Sequence, residues 1–255
     1  MSSEKRIDSA ATRGCSTLLL LASACAASAS ARGGPTSLGL SGRATLAAYL
    51  AAIPPTIKMR HQVETRFGTR SEVVEGFCVL ARPDQFWVRA MSPLGGTLFD
   101  VKGTRDGHVE LDTPLDSIAD ARGPFYLARD IRRIYLENCP ADADIKPVRD
   151  GFRVSCSLKG ETEPGSADPG LEPPDDAMAE ILSPSGIVWE KELYRGGEPT
   201  AVVHYDDYRE VQGLWLAHRI TLTGHTALYS LTILLLDADV TFDAARLFAK
   251  PATSP

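Results

Sequence analysis

The sequence predicts a mainly β chain of the α+β class. It should form one large, strongly curved antiparallel sheet of about ten or eleven strands, with helices covering the concave face. Three observations predict this. Apolar and polar residues alternate with a period of two from Thr56 onward, as in Ile57, Met59, Val63 and Phe67 set against Lys58, Arg60, Gln62, Glu64 and Arg66; that is the mark of half-buried antiparallel strands. Short turn signals such as Asp106-Gly107 and Gly196-Gly197 separate the alternating runs, as in hairpins. Only two segments behind the leader carry helical spacing, one ahead of the strands and one mid-chain.

The elements follow in chain order. Residues 1–24 read as a signal peptide. Lys5, Arg6 and Arg13 give a weakly basic start, and "CSTLLLLASA" is a short apolar stretch ending in small residues. It is too short for a spanning helix, which takes about 20 apolar residues. "LLASAC" also reads as a bacterial lipobox that would make Cys25 a lipidated first mature residue, although Ala22-Ser23-Ala24 alone would serve as an ordinary cleavage site. Ala26, where an aspartate would signal inner-membrane retention, leans towards the outer membrane. Residues 25–40 are a flexible tether dominated by Ala, Ser and Gly.

The folded domain is expected over 41–250. Ser41 suits a helix N-cap. Leu46, Tyr49, Leu50 and Ile53 then fall on one helical stripe, which Pro54-Pro55 ends. A meander of "TIKMRHQVETRF", "SEVVEGFCVLA", "QFWVRAM", "TLFDVKG" and "HVELDT" follows. By alternation Ile57, Met59, Val63, Phe67, Phe77, Val79, Phe86, Val88, Phe99 and Val101 face inward, as the wall either of a sealed core or of a cavity. Within it, Ser92-Pro93-Leu94-Gly95-Gly96 is a turn by composition, yet a bulky leucine occupies its tip.

Residues 124–136 break the strand pattern. Pro124 suits a first helical position. Tyr126, Leu127, Ile131, Ile134 and Tyr135 form the apolar side, with Arg129, Asp130, Arg132 and Arg133 facing out. "GFRVSCSL" resumes the strands. Residues 159–177, "KGETEPGSADPGLEPPDDA", read as a disordered acidic insertion. Strands continue through "MAEILSP", "IVWEKELY", "TAVVHYDDYR", "WLAHRITLTG" and "LYSLTILLLDADVTF". Cys78, Cys139 and Cys156 allow one disulfide and one free thiol in an oxidising compartment. Cys139 and Cys156 flank a plausible turn and are the favoured pair; three unpaired buried cysteines are the alternative.

Several function classes are disfavoured. A net charge of -6 argues against nucleic acid and against a purely electrostatic hold on anionic lipid. The five histidines stand singly, and no H-E-x-x-H, G-x-S-x-G, C-x-x-C or glycine-rich phosphate loop occurs. We therefore expect no enzyme, no metal and no cofactor. The densest polar cluster, "HYDDY" at 204–208, would need a partner elsewhere to act as a hydrolase.

At this point the residues carry a resemblance. "VHYDDYREVQGLWLAHRITLTG" together with "YSLTILLLDADVTFDAARLF" is similar to the C-terminal half of the periplasmic lipoprotein carrier LolA and its relatives. Asp207-Tyr208-Arg209, Gly213, Trp215, Leu247 and Phe248 match, while Ala217 stands where proline is usual. "SPLGGTLFDV" is similar to a segment of the outer-membrane receptor LolB, whose projecting leucine corresponds to Leu94. The resemblance implies an unclosed half-barrel with helices as a lid over an apolar cavity. It further implies binding of lipoprotein acyl chains or another lipid, membrane insertion through Leu94, and a lid built on the 124–136 helix. The soluble carrier of the family holds its lid with an arginine, but the resemblance singles out none of Arg129, Arg132 and Arg133. The expected partners are lipoproteins or lipid acyl chains and the membrane itself, reached through an acyl group on Cys25. The chain would be a monomer at the periplasmic face of the outer membrane, or else soluble in the periplasm. The rival reading is a structural or interaction lipoprotein of the same fold without a ligand cavity.

Overall fold

In the computed structural model, which describes residues 41–92, 94–103, 109–113, 129–158, 175–224 and 229–248, the alternating runs join into a single antiparallel sheet. Helix α1 (Gly42–Ala52) precedes it. The Ser41 hydroxyl accepts from the Ala44 N–H, and Ile53 turns extended ahead of Pro54 and Pro55, so the first helix has the cap and stop its sequence predicts.

The strands are β1 (Thr56–Phe67), β2 (Arg70–Ala81), β3 (Gln85–Met91), β4 (Thr97–Gly103), β5 (Val109–Asp112), β6 (Asp144–Val148), β7 (Gly151–Ser157), β8 (Ala177–Leu182), β9 (Val188–Arg195), β10 (Glu198–Val211), β11 (Leu214–Gly224) and β12 (Tyr229–Asp239). That is twelve 12-stranded-sheet members rather than ten or eleven. The unforeseen strand is β6, "DIKPV", which has little alternation and carries Pro147. Proline lacks a donor for one ladder, so it belongs on an edge, and β6 is an edge.

The spatial order is β5-β4-β3-β2-β1-β12-β11-β10-β9-β8-β7-β6. The two edges, β5 and β6, are consecutive in the chain and do not pair. The sheet is thus an open half-barrel, and the chain between its edges must pass from one to the other. The described part of that crossing carries a turn of π-helix, Arg132–Leu136, closed by the Glu137 N–H donating to the Arg132 carbonyl at 2.9 Å. It lies against the inner face: Ile134 packs with Leu46, Val203, Ile220 and Ile233, and Ile131 packs with Ile57, Met59, Leu80 and Phe86.

The register corrects two inward assignments. Met59 pairs with Cys78 and Ile57 with Leu80, whereas Val79 pairs with Lys58 and Phe77 with Arg60. Directly opposed residues share a face, so Cys78 and Leu80 point inward, and Phe77 and Val79 point outward. Alternation misassigns them because β2 is apolar on both sides. Its outer face is covered as well, with Val79 and Ala81 packed against Trp87, Phe242, Leu247 and Phe248, and a strand buried on both faces loses its polar rhythm.

The acidic insertion is also shorter than predicted. Asp175 is buried, accepts from Thr200 and pairs with Arg133 at 2.6 Å, and Ala177 opens β8. The rest of the predicted insertion, 159–174, lies outside the described residues, as do the predicted signal peptide 1–24, the predicted tether 25–40 with Cys25, and Tyr126 and Leu127. Cys139 and Cys156 are bonded to each other, and Cys78 is a free, buried thiol.

Candidate functional site

The inner face is not filled throughout. A cavity of ≈ 380 Å³ lies between the sheet and the helical segments, within the range of small-molecule sites. Its apolar wall includes Ile57 and Met59 of β1, Leu80 of β2, Ala217 and Ile220 of β11, and Leu235 of β12; α1 and the π-turn cover it through Ala48, Tyr49, Ile134 and Tyr135. Partly exposed Ile53, Pro54, Leu214 and Trp215 also border it.

Among the predicted cavity residues, Ile57 and Met59 border the hollow, as do Ile134 and Tyr135 of the predicted lid. Phe86, Val88 and Val101 are buried on the same face with Phe99 packed beside them, but they fill the sheet's interior further toward β5 and do not border the hollow. Val63 packs with the neighbouring cluster. Phe67 ends β1, with its side chain outside the described set. Ile131 is buried above the β1–β4 side.

Polar groups gather on one side of the hollow: Tyr49, Arg82, Asn138, Lys191, Tyr205 and Tyr208. None of them is a cavity residue in the sequence reading, although Tyr49 falls on the predicted stripe of α1. Two tyrosines come from "HYDDY". Asp207 adopts φ +52, and the β10–β11 pairing steps from Asp206↔Arg219 to Tyr208↔Ala217. The pairing passes over one residue on each strand, Asp207 and His218, so the register is kept while Tyr205 and Tyr208, three apart, both border the hollow with their partners Ile220 and Ala217, and His204, Asp206 and Asp207 stay exposed.

These groups fasten the end of the π-turn. A helical segment leaves its last carbonyls without backbone partners, and here each has a side-chain donor. Tyr205 Oη donates to the Ile134 carbonyl at 2.6 Å, Arg82 Nη2 to Tyr135 at 2.6 Å, Asn138 Nδ2 to Leu136 at 3.0 Å, and Lys191 Nζ to Glu137 at 2.6 Å. Of the helix arginines, Arg133 is buried against Asp130 and Asp175, tying the segment to the start of β8.

Beneath this end lies a buried ion pair. Glu180 and Lys191 are direct cross-strand partners on β8 and β9, 3.6 Å apart. The Glu180 carboxylate also accepts from the Cys139 N–H at 3.2 Å. Burial pushes the Glu180 carboxyl up and the Lys191 ammonium down, and each charge partly offsets the shift of the other. A legible signal existed. Glu180 is in phase with Met178 and Leu182, and Lys191 with Leu193, so two inward charges of opposite sign lie on consecutive strands.

His61 is a further inward polar group. Its ring is buried beside Tyr135, Nε2 to Oη 3.2 Å, and burial lowers its pKa to about 4. Between pH 6.5 and 4 the unfolded chain therefore holds a proton that the folded chain refuses. Unfolding free energy should fall as pH drops through that window, by about 3 kcal/mol in all. Urea midpoints at pH 7 and pH 4.5 test this: His61→Phe should lose much of the acid sensitivity, and an unchanged pH slope would count against the assignment.

Leu94 is 98% exposed at the tip of the β3–β4 turn. The turn is closed by the Ser92 N–H donating to Gly96 and the Gly95 N–H donating to Ser92, and Gly95 takes φ +83, a conformation that glycine adopts cheaply. The hollow uses the start of β1 and the end of β2, whereas Leu94 follows the end of β3. Tip and hollow therefore lie toward opposite ends of the strands. Among the described residues no helix is long and apolar enough to cross a membrane, and no group of three His, Cys, Asp or Glu side chains could hold a metal ion.

No family model matches the sequence, and no curated protein matches it. The fold is similar to that of solved structures. A LolA superfamily protein from Nitrosomonas europaea superposes with a TM-score of 0.55 at 11% identity, covering 83% of this chain and 98% of that one. A DUF1329 family protein from Desulfovibrio piger gives 0.50 at 8% identity, covering 80% and 94%. The open antiparallel sheet under a helical cover is thus a LolA-like fold.

Proposed function

We propose that this chain binds acyl chains of lipoproteins, or of another lipid, in the hollow beneath the π-turn and hands them to a membrane. The observation that carries this reading is the space itself: an apolar cavity of ≈ 380 Å³ left between sheet and cover in a LolA-like fold. The rival reading, the same fold with a packed interior, has no use for that space. No bond is made or broken in this scheme. Transfer follows the difference in apolar burial between two sites, so it needs no nucleotide, metal or cofactor.

The π-turn acts as the lid. The donors on its last carbonyls hold it shut, with Arg82 in the part that the family resemblance gives to an arginine. Leu94 is the membrane-inserting residue. One buried leucine contributes about 2 kcal/mol, too little to hold a protein on a bilayer, so the loop works together with an acyl group on Cys25 at the periplasmic face of the outer membrane. Exposure of a lone bulky side chain on a glycine-held turn supports this role.

The test is delivery of a fluorescent acylated-cysteine lipopeptide to phosphatidylethanolamine–phosphatidylglycerol vesicles. Leu94→Glu should still load the lipopeptide but deliver it roughly tenfold more slowly or worse. Delivery at the native rate would remove Leu94 from the mechanism, and failure of the native protein to load would end the acyl-binding reading.

A further inference from the structure

The polar side of the hollow contains one donor left over. Tyr49 Oη donates to Asn138 Oδ1, Tyr205 Oη to Ile134, and Tyr208 Oη to Val188. Lys191 Nζ is used on Ile134, Glu137 and Asn138 as well as Glu180. Arg82 differs. Its one side-chain hydrogen bond runs from Nη2 to Tyr135, and its Nε–H is buried with no partner. The nearby buried carboxylate, Glu180, is already engaged by Lys191 and the Cys139 N–H.

A buried guanidinium N–H without an acceptor is costly. An acceptor brought by a ligand would remove that cost, and an anionic one would suit the charge and the fork of an arginine. Arg82 follows Leu80 at the inward phase of β2, so its charge lies at the end of the apolar wall formed by Leu80, Ile57 and Met59.

We infer that the hollow receives an acyl chain ending in an anionic oxygen head, a carboxylate or a phosphate, with the head against Arg82 Nε–H and the chain along Leu80, Ile57 and Met59. This rests on the acyl-binding reading above, in its form with another lipid as cargo, because the ester- and amide-linked chains of a lipoprotein end in no anionic oxygen. Arg82 then has two duties: Nη2 fastens the lid and Nε reads the ligand.

Calorimetric titration of the full chain with dodecanoate, dodecyl phosphate and dodecan-1-ol tests it. At least one anion should bind about 10- to 100-fold more tightly than the alcohol, the worth of a hydrogen bond to a charged group. The tighter anion identifies the head. Arg82→Gln should reduce that ratio to near one. A loosened lid would weaken all three ligands alike and leave the ratio unchanged, so the ratio separates reading from latching. Equal affinities in the native protein would overturn the inference while leaving acyl binding intact, and this arm needs no variant. A ratio that survives in Arg82→Gln would also overturn it. Binding of none of the three would overturn the acyl-binding reading as well.

Discussion

Lys191→Met should lower the free energy of unfolding by about 3–5 kcal/mol, the usual cost of removing one partner from a buried pair. Glu180 and Lys191 are both almost fully buried. Without the ammonium, the carboxylate keeps only the Cys139 N–H as a partner, and the Ile134 and Glu137 carbonyls lose a donor. The loss therefore reaches both the sheet and the π-turn. Acidification should partly rescue the variant. A carboxyl whose folded pKa lies above its unfolded value gains relative stability as pH falls through it, and loss of the lysine charge raises the Glu180 pKa further. Glu180→Gln combined with Lys191→Met should recover much of the deficit, because the amide oxygen still accepts from Cys139 while no charge is buried. Urea midpoints for the singles and the double give the coupling. A single-variant cost within about 0.5 kcal/mol, the range of surface changes, would contradict the burial assigned to this pair.

Removing the Cys139–Cys156 bond should cost about 3 kcal/mol. The two residues are 17 apart in sequence, and closing a loop of that length restricts the unfolded chain by roughly that amount. Cys139 lies two residues after Glu137, so the bond also ties the end of the π-turn to β7. Cys139→Ser with Cys156→Ser, or reduction of the native protein, should lower the urea midpoint without changing the order of the strands. In the oxidised protein, thiol labelling after unfolding should find Cys78 alone among these three cysteines. A reduced protein as stable as the oxidised one would remove the bond from the account of stability.

The parts of the fold legible in the sequence were those where one face is wet. β1 shows clean alternation, and both its limits and its face followed from it. β2 is covered on both sides, so its rhythm is lost and Phe77 and Val79 were read onto the wrong face. β6 has Pro147 and mostly exposed side chains, so nothing in its composition resembles a strand until the edge it occupies is known. The site divides in the same way. Ile57, Met59, Ile134 and Tyr135 were found because apolar periodicity marks an inner wall. Arg82, Lys191 and Tyr205 were missed because their importance lies in the carbonyls they reach across the sheet, and such meetings are set by register and not by spacing. The step at Asp207 is the sharpest case: strict alternation assigns Tyr205 and Tyr208 to opposite faces, but the pairing passes over Asp207 and His218 together and both tyrosines border the hollow.

Every ladder joins neighbours in sequence except the one between β1 and β12. Two meanders can thus form from local hairpins as soon as they are synthesised, but the seam that unites them waits for the last strand. Such long-range closure is slow compared with hairpin formation. A nascent chain leaving the ribosome would remain two loosely structured flaps until β12 arrives. Once the seam zips, proteases should find the ladder between the flaps closed to them.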